Sequence, residues 1–248
     1  MQEYSEELLS SRDGRVATIT LNRPDRGNAV SDEMVAELAR LVNDAASQAD
    51  LVLLRGAGAD FCVGRAPPPA PPPEREPEAL ERRRFSDVVF ECYAAMRNTP
   101  VPVIAVVQGR AFGFGCAVAA ACDITLAGES ARFHLPEMAH SIMPTMVMSA
   151  FVGRLPRKAI SYLVYSGAEV DAARAREMGI VSEVCPAAGL DGAVASLCAA
   201  MLRAPRAALL GVKEYVRTAP DMSTAGAVEY ARNLHATINS SSEMRARR

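Results

Sequence analysis

The chain has 248 residues, 50% of them hydrophobic, and a formal net charge of -2. That length can bury a sizeable core in one large domain or one domain with an appendage. The balanced charge gives no general reason to expect nucleic acid or an anionic membrane surface as a partner, so any charged site must be local. The opening MQEYSEELLSSRDG is acidic and lacks the basic and apolar regions of a targeting peptide, so a cytoplasmic protein is expected. The longest apolar run, Ala111 to Ala121, is too short and too rich in Ala and Gly for a membrane span.

Taken in order, VATITLNRP alternates apolar and polar residues and ends at a proline, which predicts a half-buried strand over about Arg15 to Leu21. SDEMVAELARLVNDAAS predicts a helix, with Ser31 as N-cap and Met34, Val35, Leu38, Leu41 and Val42 at helical spacing. LVLLRG and VPVIAVVQG are short continuous apolar runs, the pattern of strands buried on both faces. Between them, six of the eight residues from 66 to 73 are proline. That run predicts a polyproline II excursion in a mobile surface loop, a spacer rather than a recognition motif. DITLAG and ARFHLP add shorter strands, and strands alternating with helices give an α/β class. From about Leu190 the chain reads as helical: GLDGAVASLCAAMLRAP, RAALLGVKEYVR, and a segment from Ser223 to about Ile238, together a separate helical layer. The six cysteines are scattered without CxxC pairs or histidines at ligand spacing. Buried free thiols and no metal are expected.

The segment GRAFGFGCAVAAACD, residues 109 to 123, carries no charge between its arginine and its aspartate. By itself it reads as a strand, a glycine turn and a helix that packs closely through small side chains. The alternative is that free N–H groups at this helix N-terminus face an anion or a developing negative charge. Its glycines run GxxxGxG and no GKS or GKT follows, so neither dinucleotide nor P-loop fingerprint fits.

Four stretches together carry a resemblance: NRPDRGNAVS, DFCVGR, the run from VPVIAVVQG through ARFHLPE, and GRLPRKAISYLVYSGAEVDAARAREMGIVSEV. In order and spacing, from about Val16 to Val184, they resemble the enoyl-CoA hydratase/isomerase (crotonase) family. The resemblance implies a crotonase-like spiral of ββα turns over residues 1–190, for acyl-CoA binding and catalysis. It also implies a C-terminal helical region, 191–248, that supports a homotrimer or a dimer of trimers. Coenzyme A is then part of the substrate and no separate cofactor is expected.

By motif position, the resemblance implies that the backbone amides of Arg65 and Phe114 hold an oxyanion at the thioester carbonyl. Arg26 and the backbone of Cys62, Gly64 and Ala66 fall where relatives border the CoA. Hydratases of the family use two glutamates on one water. The second is present as Glu137 in Pro136-Glu137, whereas the first position holds Ala117. One carboxylate suffices to move a double bond from 3,4 to 2,3, so the leading expectation is an enoyl-CoA isomerase with Glu137 as the proton shuttle. Enoyl-CoA hydratase and a non-catalytic acyl-CoA binding protein are the alternatives. Thr145 and Val118 stand where dienoyl-CoA isomerases and dehalogenases of the family carry aspartates, which disfavours both. His134 and His140 flank Glu137, and either could lend a proton or tune it. Asp123 is expected to end a helix or tie a loop. Met143, Met146 and Met148 either line the pocket or pack in the core.

Overall fold

The computed structural model describes residues 6–67 and 76–246. The prolines at 68, 69, 71, 72 and 73 lie outside the described residues, and so does the core of the expected polyproline excursion.

The chain begins with a hairpin, β1 (Leu8–Asp13) and β2 (Val16–Leu21), followed by α1 (Asp32–Gln48), β3 (Leu51–Gly56), α2 (Ala79–Arg84) and α3 (Asp87–Asn98). Then come β4 (Val103–Val107), β5 (Arg110–Phe112), α4 (Phe114–Ala121), β6 (Ile124–Gly128) and β7 (Arg132–His134). After α5 (Thr145–Phe151), α6 (Arg157–Ser166), β8 (Val170–Asp171), α7 (Ala172–Glu177) and β9 (Glu183–Cys185), the chain is helical: α8 (Leu190–Leu202), α9 (Arg206–Thr218), α10 (Thr224–Asn239) and α11 (Ser242–Arg245).

Six strands form one sheet in the order β1-β2-β3-β4-β6-β9, parallel except for the first pair, and β5, β7 and β8 form a second, smaller sheet. The continuous apolar strands explain the layering. Val52, Leu54, Val103, Ala105 and Val107 face the core beneath α1, α3 and α4, while Leu51, Leu53, Ile104 and Val106 face a second core closed by Leu190, Val194 and Cys198 of α8. Successive side chains in a strand point to opposite faces, so a strand covered on both sides must be apolar throughout.

The helix expected after Ser31 forms, and the Ser31 hydroxyl accepts from Met34 N at 3.3 Å. β1 was not foreseen. It is an edge strand with one buried residue, Leu8, so its sequence carries no alternation to read. The charged end of the proline-rich stretch is also more ordered than a spacer. Residues 79–84 are helical, started by a capping box between Glu78 and Glu81. All six cysteines are buried free thiols.

The helical tail is bonded to the sheet. Asp50 takes Arg206 at 2.6 Å and also pairs with Arg15, tying α9 to the edge of β3. Lys213 of α9, 6% exposed, donates to Met96 O, Val101 O and Asp123 Oδ2 at 3.0, 2.9 and 2.7 Å. Asp123 also accepts from Val103 N at 2.8 Å, so it ties the end of α4 to the start of β4, the structural role its position suggested.

Candidate active site

The glycines of residues 109–123 set the position of one helix end. Cys62 runs beside β5 as a parallel partner: its amide donates to Arg110 O at 3.0 Å and its carbonyl accepts from Phe112 N at 2.9 Å. α4 then starts against the same segment. A Cβ on Gly115 would stand 2.2 Å from Cys62 O, so only glycine lets the first turn of α4 come this close. Gly113 has φ 48° and ψ -113°, a left-handed conformation that side chains resist, and its missing Cβ would lie 3.0 Å from Glu137 Oε1.

This packing brings two predicted donors to one cleft. The amides of Arg65 and Phe114 have no hydrogen-bond acceptor among the described residues, although neighbouring amides do: Ala66 N donates to Val30 O at 2.8 Å and Gly113 N to His134 O at 2.8 Å. The Phe114 amide is free because a helix's first N–H groups have no carbonyl one turn behind them. The Arg65 guanidinium pairs with Asp32. The Phe114 ring, 4% exposed, stacks on Tyr93 at 5.8 Å between centroids, so its bulk becomes part of the wall.

The cleft has a volume of about 310 Å³ and is lined by Gly64, Arg65, Tyr93, Phe114, Glu137 and His140 together with an apolar wall. Met143 and Met146 belong to that wall, and Met146 and Met148 pack against the main core. Glu137 is the carboxylate among the lining residues, and its Oε2 is buried with no hydrogen-bond partner among the described residues. Burial pushes its carboxyl above the usual range, opposed by its own backbone amide and by the charges of His134 and His140. A carboxylate raised in this way is a stronger base than a solvated one.

Ala117, where a second carboxylate would stand, is fully buried one helical turn beyond Phe114. The two histidines differ. His134 Nε2 donates to Gly167 O at 3.1 Å and its ring meets Phe112 edge-on at 5.2 Å, while His140 lines the cleft.

Not every predicted residue reaches the cleft. Arg26 sits on a 3-10 turn with its side chain 67% exposed and paired to Asp25 at 3.9 Å, and it is not among the cleft's lining residues. Cys62 is fully buried, both its backbone groups bond to β5, and it is not among the cleft's lining residues, so it shapes the loop. Burial also pushes its thiol up to about 12, which makes it inert. The amide of Ala66 is committed to Val30, whereas Gly64 lines the cleft with φ 120°.

Tyr93 is an aromatic lining residue that sequence reading missed. It shares the buried face of α3 with Val89, Cys92 and Met96, a helical spacing that could have placed it inward. A larger cavity of about 550 Å³ lies around Arg97, Asp123 and Arg154. Its charges hold helix ends: Arg97 donates to Ser149 O and Ala150 O at 2.7 Å each, and Arg154 to Cys122 O at 2.8 Å.

A family model described as enoyl-CoA hydratase/isomerase matches residues 11–247. The chain is 30% identical over 231 residues to the 2,3-dehydroadipyl-CoA hydratase of Escherichia coli, covering 92% of this chain and 88% of that protein. It is also 30% identical over 183 residues to the short-chain-enoyl-CoA hydratase of Clostridium acetobutylicum, covering 71% and 68%. Among solved structures, the enoyl-CoA hydratase of Mycobacterium smegmatis superimposes with a TM-score of 0.88 at 27% identity, covering 97% of this chain and 93% of that one. A Thermobifida fusca protein solved in complex with CoA does so with a TM-score of 0.84 at 28% identity, covering 93% and 92%. The fold is the crotonase fold, and the chain belongs to the enoyl-CoA hydratase/isomerase family.

Proposed function

We propose that the protein isomerises 3-enoyl-CoA thioesters to 2-enoyl-CoA thioesters. The carrying observation is the cleft's carboxylate inventory: among its lining residues Glu137 is the one carboxylate, and the position at which the family resemblance implies a water-activating partner holds the buried Ala117. Glu137 takes a proton from C2, and the C2–H electron pair moves toward the thioester, leaving a dienolate whose oxygen is negative. In this reading the amides of Arg65 and Phe114, which have no acceptor among the described residues, hold that oxygen, an interaction for which each donor is worth about a hundredfold to a thousandfold in rate. Return of a proton at C4 then leaves the double bond at C2–C3. No net acid, base or water is consumed, so a second carboxylate is not required.

The Thermobifida fusca neighbour bound to CoA supports a CoA thioester as the ligand. Hydration of a 2-enoyl-CoA is the second reading, favoured by the hydratase names of the Escherichia coli and Clostridium acetobutylicum relatives. Wild type and Glu137→Gln, each assayed with a 3-enoyl-CoA and a 2-enoyl-CoA by the absorbance of the conjugated thioester, decide between them. The isomerase reading requires conversion of the 3-enoyl substrate and its loss in Glu137→Gln; consumption of the 2-enoyl substrate alone makes the protein a hydratase. A homotrimer is part of the proposal, because Val152, Val212 and Val216 are 68%, 64% and 63% exposed and an assembly would cover such apolar surface.

A further inference from the structure

Glu137 and His140 are the first and last residues of a single 3-10 turn, and that spacing has a geometric consequence. With three residues per turn, side chains at i and i+3 of a 3-10 helix eclipse one another. Both therefore project from the same face, and both line the cleft. The turn is held firmly: Ala139 N donates to Pro136 O at 3.0 Å, Ser141 N to Met138 O at 3.1 Å and Ile142 N to Glu137 O at 2.9 Å. It ends at Ser141 with φ 57°, a left-handed conformation that a serine adopts only when its surroundings impose it.

Among the described residues the His140 side chain has no hydrogen-bond partner, in contrast to His134, which is committed to Gly167. The other titratable groups facing the cleft are Arg65, whose guanidinium is engaged by Asp32, and Tyr93, whose phenol burial keeps protonated.

We propose that His140 is the second proton-carrying group of this site, so that Glu137 takes the proton from C2 and the imidazolium of His140 delivers one to C4. Proton transfer from the Glu137 carboxylic acid to the neutral imidazole then restores both groups, and the cycle balances. Two groups on one turn divide the work that a lone carboxylate would have to do by swinging between C2 and C4. This rests on the isomerase reading.

The division leaves a label signature. His140 is exposed, so its N–H protons exchange with solvent, whereas a proton carried by the half-buried Glu137 is protected. The test uses a 3-enoyl-CoA with deuterium at both C2 positions, turned over by wild type and by His140→Gln, with the product's C4 read by NMR. Wild type is expected to place solvent hydrogen at C4. His140→Gln is expected to be at least about a hundredfold slower, with its residual product carrying deuterium at C4. Deuterium at C4 from wild type overturns the proposal whatever the variant's rate, and so does an unchanged rate in His140→Gln. A wild type that forms no 2-enoyl-CoA at all instead overturns the isomerase reading, and this proposal with it.

Discussion

Replacing Gly115 with alanine separates folding from catalysis at this site. The new methyl would lie 2.2 Å from Cys62 O and 2.8 Å from Cys62 Cβ, so α4 and the 62–65 segment must part by about 1 Å or more to reach ordinary contact. Overpacking of this kind costs roughly 1–3 kcal/mol, and alanine's higher helix propensity returns up to about 1 kcal/mol, leaving a net loss near 1 kcal/mol. A chain with about 5–15 kcal/mol of stability remains folded.

The catalytic cost is larger, because the same displacement pulls the Phe114 amide away from the Arg65 amide. Misplacing a reacting geometry by about 1 Å costs on the order of a hundredfold, and losing one donor outright costs up to about a thousandfold. The expected result is a variant with a nearly native urea midpoint and kcat/KM lowered about 100- to 1,000-fold. Gly192→Ala in α8 is the control, since nothing stands within 4 Å of the added methyl, and it should keep full activity with equal or greater stability. A folded Gly115→Ala protein within about threefold of wild-type activity would refute the idea that this close approach assembles the donor pair.

Other outcomes follow from the same geometry. Because the Glu137 carboxyl is raised above 4.5 in the folded chain, the native state binds its proton more tightly than the unfolded one. That contribution is fully present below about pH 4 and is lost as pH rises through the raised value, so ionised Glu137 is a burden at neutral pH. Glu137→Gln should therefore match or exceed wild-type Tm at pH 8 while the two converge near pH 4; a variant less stable at pH 8 would count against the assignment. Lys213→Met should cost about 3 kcal/mol, read as a lowered urea midpoint, since it strands Asp123 and the carbonyls of Met96 and Val101. Ala117→Glu should add measurable hydration of a 2-enoyl-CoA at the expense of thermal stability, because it puts a second carboxylate at a fully buried position. Loss of stability without any gain in hydration would show that position 117 does not face the reacting carbons.

Much of this protein was legible in its sequence. Local rules act within a few residues, so the Ser31 cap, the amphipathic α1, the doubly buried strands β3 and β4 and the glycine-flanked start of α4 could all be read directly. The ordered motifs also located Arg65, Phe114 and Glu137, which the fold gathers at one cleft. What sequence could not decide depends on contacts between segments distant along the chain. β1 is visible only through its pairing with β2, the place of Tyr93 in the cleft wall, beyond its inward direction, through its stack on Phe114, and the withdrawal of Cys62 through its bonds to β5. His134 and His140 looked equivalent as neighbours of Glu137, and only tertiary structure separated them, by giving Gly167 to one and leaving the other on the open face of a 3-10 turn. A chain encodes such choices in the sum of many long-range contacts, whereas a motif records only the short-range ones.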